Sequence, residues 1–196
     1  MMAIHLSFRG LAWLWFSSVI RQLADQEDSN NAGIGSTPSP LPFLTTDGFE
    51  MIHQVNFLSH VFVTLSFLPS LAKAEQPRIL CTTSCYHYKG KFSIANWNGQ
   101  PGDKDVLGYY QNNKLNLQIW LTEFQRRVLQ HEQYKHITIN GFHPGYVNSG
   151  IWTLAGAETS WIAWFLQAFL QLLAFFIAIT PQQGLVVIFH RQLYSR

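Results

Sequence analysis

The sequence predicts an α/β fold, a parallel sheet with flanking helices, and three observations carry that expectation. Two short apolar runs, 78–83 and 137–142, read as strands, the first bounded by charge on one side and polar loop on the other. The segment between them, from Tyr109 to about His131, repeats Leu117, Leu121, Phe124 and Val128 at the spacing of one helix face. The order strand, helix, strand is that of a right-handed crossover unit in a parallel sheet.

Each element follows from its residues. In the first twenty residues the apolar part, 11–20, is interrupted by Ser17 and Ser18 and is too short to span a bilayer. Arg21-Gln22-Leu23 lacks the small residues of a signal-peptide cleavage site, so an amphipathic or buried helix is expected there. Residues 25–48 are dense in Asp, Asn, Gly, Ser and Pro and read as loop. Thr45-Thr46-Asp47 then announces a helix that runs through Ile52, Val55, Asn56, His60 and Val63 to Leu68, with Pro69 within or near its end. Residues 86–106, with Gly90, Gly99, Pro101 and Gly102, read as loop. The second strand runs directly into His143-Pro144-Gly145 at its carboxyl end. Residues 161–179 form an apolar, aromatic helix, and no Asp, Glu, Lys or Arg lies between Glu158 and Arg191. Thr180 to Gly184 breaks this stretch, and Pro181 suits the first turn of a new helix.

A chain of 196 residues with 47% hydrophobic content is large enough for one domain with a real core. Charged residues are only 12% and the net charge is +2, so no basic surface recommends nucleic acid as a partner. Two cysteines, Cys81 and Cys85, read as buried or semi-buried thiols in a reducing compartment. A zinc site would need ligands beyond these and His87, so no metal is assigned.

The residues that bear chemistry begin with Tyr110 and Lys114, which are four apart and share one helix face. A tyrosine hydroxyl titrates near pH 10, too high for efficient acid–base work at neutral pH. An adjacent ammonium favours the phenolate, so the pair makes a proton donor and acceptor. Ser84 follows the first strand, and Pro144 to Ser149 follows the second. Ligands of open parallel sheets bind beyond the carboxyl ends of the strands, which is where these residues fall. Taken singly, each has a plainer reading. Tyr110 and Lys114 are two solvated helix residues, Asn56 faces solvent or back-bonds its helix, and Ser84 is a turn residue. His143 is a structural loop residue, and Cys85 is a buried, inert thiol.

Taken together and in order, the residues resemble the short-chain dehydrogenase/reductase family, in its retinol-dehydrogenase-like branch. The match runs from Asn30-Asn31-Ala32-Gly33 through Asp47-Gly48-Phe49-Glu50, Val55-Asn56, Arg78-Ile79-Leu80, Ser84, Tyr110-x-x-x-Lys114 and His143-Pro144-Gly145-x-Val147-x-Ser149 to Thr180-Pro181-Gln182-Gln183-Gly184. The 26-residue step from Ser84 to Tyr110 suits that branch. The resemblance implies a site in which Tyr110 is the catalytic acid/base and Ser84 orients the carbonyl or hydroxyl. Lys114 would lower the Tyr110 pKa and hold the nicotinamide ribose, and Asn56 would anchor a proton-relay water. Asn31 would line the adenosine side of the cofactor groove, with Val147 and Ser149 flanking the nicotinamide carboxamide. The implied cofactor is NADP or NAD, the preference not being readable.

The chain departs from the family at its start. A full member opens with a strand, a glycine-rich turn and a helix whose N-terminus holds the pyrophosphate, and no such segment precedes Asn30. The expected fold is therefore an incomplete Rossmann-like sheet without its first phosphate-binding unit. Residues 1–29 read as an atypical segment, a remnant or a substitute, and 30–196 as the catalytic part. Ala24 to Ser29 has no propensity for a central buried strand.

Three functional readings stand open. One is an NAD(P)-dependent oxidoreductase that interconverts alcohol and ketone on a lipophilic small molecule, as the resemblance implies. Another is an inactive, truncated relative that acts as a binding or regulatory partner of an intact family member, or not at all; a homo-oligomer is a further expectation. The third is a membrane-associated structural protein. In the resembling family, 161–179 is the substrate lid. Trp161, Trp164, Phe165 and Phe169 suit a lipophilic pocket or a membrane interface, with Gln167 and Gln171 as one polar stripe. Peripheral contact through 161–179, a true span and an ordinary buried helix are all weighed. The expected location is cytoplasmic, on the cytosolic face of an internal membrane.

Overall fold

The computed structural model describes residues 27–35, 37, 42–97, 106–147 and 161–180. Three strands, β1 (Glu27–Asn30), β2 (Arg78–Thr82) and β3 (Thr138–Phe142), form a sheet in that order. Both pairings are parallel: Asn30 faces Cys81 across the first, and Thr82 faces Phe142 across the second. Helix α1 (Met51–Leu71) lies between β1 and β2 in sequence, α2 (Val106–Arg127) between β2 and β3, and α3 (Trp161–Ile177) follows.

Central strand β2 is buried at Ile79, Leu80 and Cys81, as its apolar run predicts. Ile79 and Cys81 pack against Phe57, Leu68 and Leu71 of α1 and Leu117, Leu121 and Phe124 of α2, so both helices cover one face of the sheet. Leu80 turns to the opposite face and meets Phe142. Helix α1 has the length and composition to cross a membrane, but its buried residues in this cluster make it a core helix. Gly141 lets α2 approach the sheet, since a Cβ there would meet Thr83 Cγ2 at 2.8 Å and Leu121 Cδ1 at 2.9 Å.

Several expectations are corrected. Glu27–Asn30 is a strand despite its poor propensity, and a division at 29/30 would cut through it. It bonds β2 on one side only among the described residues, and its polar face is satisfied by α1. Thr64 Oγ1 donates to Asp28 Oδ2 at 2.7 Å, and Asn30 Nδ2 donates to Asp28 Oδ2 and to Thr64 Oγ1, each at 2.9 Å. Burial raises the Asp28 pKa, and the bonds from Thr64 and Asn30 oppose that rise. The cap of α1 is Glu50 rather than Thr45 to Asp47: its carboxylate accepts from Ile52 N–H at 2.9 Å and His53 N–H at 2.8 Å. Residues 54–58 of α1 form a π-helical turn that periodicity does not encode. Pro69 lies inside the helix.

The expected loop 86–106 contains two 3₁₀ turns, Cys85–Lys89 and Ile94–Asn96. Helix α2 starts three residues before Tyr109 and stops at Arg127, after which the chain turns. Cys85 is exposed, not buried, because it opens a surface turn, whereas Cys81 is buried; both thiols are free. The expectation for the N-terminal helix and that for the break after Thr180 lie outside the described residues.

At the side chains described, helix α3 is not an ordinary buried helix. Trp161 is 79% exposed, Trp164 63% and Phe165 66%. Only Gln167 among its described side chains is half-buried, and the described apolar ones are exposed. Just beyond its end, Ile179 N–H donates to Tyr146 O at 2.9 Å, tying the helix to the segment after β3.

Candidate active site

Ser84, Tyr110 and Lys114 meet at the carboxyl end of β2, and all three are buried. Ser84 leaves the strand in extended conformation and caps the 3₁₀ turn, its Oγ accepting from Tyr86 N–H at 3.2 Å. Its side chain also hydrogen-bonds the Tyr110 side chain. The Tyr86 ring stands edge-on to Tyr110, with centroids 6.1 Å apart. Lys114 Nζ sits 5.7 Å from the Tyr110 ring centroid and donates to the Thr82 carbonyl at 2.7 Å. An ammonium has three N–H donors, so two remain for further partners.

The electrostatics differ from the expectation in one respect. Burial raises the Tyr110 hydroxyl above its ordinary range; the Ser84 hydrogen bond opposes this, while Cys85 and Tyr86 add to it. Lys114 is not among the causes of this shift, and burial disfavours its own charge. Its pKa falls from 10.5 to about 8, with Cys81 acting in the opposite direction.

Asn56 lies in the π-helical turn and is fully buried, which excludes a solvent-facing role. Its Oδ1 accepts from Ile34 N–H and its Nδ2 donates to Ile34 O, both at 2.8 Å. The side chain thus clamps the loop after β1 to α1. Asn31, exposed on that loop, accepts at Oδ1 from Thr82 Oγ1 at 2.6 Å. Thr82 therefore holds Asn31 through its hydroxyl and Lys114 through its carbonyl. Val147 is half-buried and bridges Ile179, in the turn after Gly145, whose φ of +89° requires glycine. Ser149 lies outside the described residues.

Residues that the motifs did not single out complete the surroundings. His60, one turn after Asn56 on the same face, donates from Nε2 to Ala32 O at 2.9 Å. Burial, then the Lys114 charge, lower its pKa to about 4, so the ring is neutral. His53 Nδ1 bonds Asn113 Oδ1 at 2.7 Å, and Asn113 Nδ2 donates to Tyr109 O at 2.9 Å, which joins α1 to α2 beside Lys114. Only the four-residue spacing of Asn56 and His60 was a signal in the sequence; bonds to backbone carbonyls leave none. His143 sits after β3 with a pKa lowered by burial, then by His87 and Lys114. Among the described residues, no group of three or more His, Cys, Asp or Glu side chains is placed to hold a metal ion.

The residues present fit the nicotinamide-ribose half of a dinucleotide, on the strength of the two N–H donors that Lys114 retains at the sheet's carboxyl edge. No described residues build a glycine-rich strand–helix turn for the phosphates.

No family model matches the chain. Retinol dehydrogenase 13 of Homo sapiens is 30% identical over 131 residues, which is 67% of this chain and 38% of that protein. Polyprenol dehydrogenase of Mus musculus is 30% identical over 159 residues, 79% of this chain and 44% of that protein. The chain thus spans well under half the length of these curated relatives. Among solved structures, an uncharacterised protein from Mycobacterium paratuberculosis gives a TM-score of 0.52 at 29% identity, covering 66% of this chain and 47% of that one. A short-chain dehydrogenase/reductase of unknown function from Caenorhabditis elegans, solved with cofactor, gives 0.51 at 18% identity over 78% of this chain and 52% of that one, a likeness of fold.

Proposed function

We propose, from the premise that the chain belongs to the short-chain dehydrogenase/reductase family, that it serves an NAD(P)-dependent oxidoreductase acting on a lipophilic alcohol or its carbonyl counterpart. The observation that carries this reading is the buried contact of Ser84 with Tyr110, one helical turn from Lys114, at the carboxyl edge of a parallel sheet. The bound nicotinamide would supply the hydride acceptor or donor. Tyr110 would pass the proton to or from the substrate oxygen, and Ser84 would hold that oxygen. Lys114 would use its two remaining donors on the ribose. Its positive charge, held near Tyr110, would favour the phenolate once the site is filled. Asn56 would keep the loop behind Asn31 in place and hold a water for proton relay. Asn31, Val147 and Ser149 would line the cofactor. The relatives named for retinol and polyprenol support a lipophilic substrate.

The exposed Trp161, Ile162, Trp164 and Phe165 of α3 support peripheral attachment to a membrane, and the proposed location is the cytosolic face of an internal compartment. A second reading is an inactive partner of an intact relative, and it draws on one observation: the described residues build no glycine-rich strand–helix turn for the phosphates. Purified chain given retinol with NADP, then with NAD, decides between them by nicotinamide absorbance. Turnover that is lost in Tyr110→Phe supports the enzyme. Absence of turnover with either cofactor, or its persistence in the variant, rejects the proposed site.

A further inference from the structure

The carbonyl of Ser84 accepts twice from one residue. The backbone N–H of His87 donates to it at 3.1 Å, closing the 3₁₀ turn, and the imidazole Nδ1 of His87 bonds the same oxygen. A carbonyl only accepts, so Nδ1 carries the proton in this bond. The opposite side of the same residue faces the site: Ser84 Oγ accepts from Tyr86 N–H and bonds Tyr110. A single 3₁₀ turn is a weak device for holding a peptide plane, because its hydrogen bonds are poorly aligned. Here the ring adds a second bond to that plane and lies against the exposed Tyr88 ring, tilted 35° with centroids 4.1 Å apart.

We propose that His87 is a positioning residue, which locks the Ser84 peptide and so aims the Ser84 hydroxyl at Tyr110. The inference rests on the reading of Ser84 and Tyr110 as the reacting pair, but its test needs no turnover. His87 does not touch the Tyr110 hydroxyl in this arrangement; it acts through Ser84. The Ser84 bond opposes the rise in the Tyr110 pKa, so misaiming Ser84 moves the Tyr110 titration upward.

The experiment follows Tyr110 by NMR in protein labelled at the tyrosine ring carbon that bears oxygen. Ser84→Ala sets the shift expected from complete loss of the bond. His87→Phe is expected to move the Tyr110 midpoint upward, toward the Ser84→Ala value. His87→Asn, whose amide N–H reaches the place of Nδ1, is expected to return it toward wild type. A midpoint unchanged in His87→Phe, with Ser84→Ala shifted, overturns the proposal. Should His87→Phe fail to fold, nitrogen NMR of the wild-type ring decides instead: the Nδ1-protonated tautomer supports the lock, and the Nε2-protonated tautomer overturns it. Failure of the enzyme reading shows itself separately, as wild-type protein without turnover in which these shifts still occur.

Discussion

Lys114 carries an ammonium into a place almost closed to water, where, among the described residues, a hydrogen bond to Thr82 O offsets its burial. Its fall from 10.5 to about 8 corresponds to about 3 kcal/mol of folding free energy lost at neutral pH, taking about 1.36 kcal/mol per unit. The sign follows from the depressed value: the lysine's contribution is fully present above 10.5 and is lost as pH falls through about 8. Lys114→Met, of similar shape, should therefore stabilise the chain near neutral pH, by about 1–2 kcal/mol after the unpaired Thr82 carbonyl is counted. Urea unfolding checks this, and the gain should shrink as pH rises from about 8 to 10.5. A variant less stable than wild type at neutral pH would contradict it. Tyr110→Phe leaves ring packing nearly intact and should cut any turnover ~10²–10⁴-fold, with the chain still folded and destabilised by no more than about 1–3 kcal/mol for the lost bond to Ser84. Tyr110, Lys114 and Ser84 were legible because helix spacing and strand ends place side chains predictably. The clamp of Asn56 on Ile34 and the hold of Thr82 on Asn31 were not, since each partner lies far away in sequence.

At the scale of elements, the apolar runs of β2 and α2 were legible because each buries a face whose period matches its own geometry. Strand β1 was not, because Asp28 and Asn30 find Thr64 only after α1 has packed, a tertiary contact that outweighs local propensity. Helix α3 was legible as a helix, but its surroundings were not. Trp161, Trp164, Phe165 and Phe169 are exposed, and among the described side chains of the helix Gln167 alone is half-covered. Each such side chain withdrawn from water would contribute about 1.5–3 kcal/mol, enough for several together to hold the protein at a lipid surface. The protein is expected to float with vesicles carrying brominated lipids and to show quenched tryptophan fluorescence. Replacing Trp164 and Phe165 together by Glu should abolish both effects without changing far-ultraviolet circular dichroism. Wild-type protein that stays at the bottom of the gradient would remove the membrane from the proposed function.

For the molecule as a whole, stability depends on how the buried side of the sheet tolerates charge as pH changes. His60 is held neutral with a pKa lowered from 6.5 to about 4, by burial first and then by Lys114. Above 6.5 the ring is neutral whether the chain is folded or not, so its contribution is fully present there. As pH falls below 6.5 the unfolded chain gains a proton that the folded one refuses, and stability declines until about 4 is passed. The total loss is about 3 kcal/mol at about 1.36 kcal/mol per unit. Asp28 pulls the other way: its raised pKa gives a contribution that is full below 3.8 and is lost as pH rises through its folded value. Since Asp28 on β1 and His60 on α1 both lie where α1 packs on β1 and the loop after it, the melting curve reports their difference. His60→Gln can retain an N–H donor for Ala32 O but cannot titrate. Its melting temperature should therefore fall less than that of wild type between 6.5 and about 4, leaving the opposing Asp28 effect exposed. Thermal unfolding by circular dichroism across that interval measures the slopes. Parallel slopes for the two proteins would mean that His60 is not the group that makes the fold acid-sensitive.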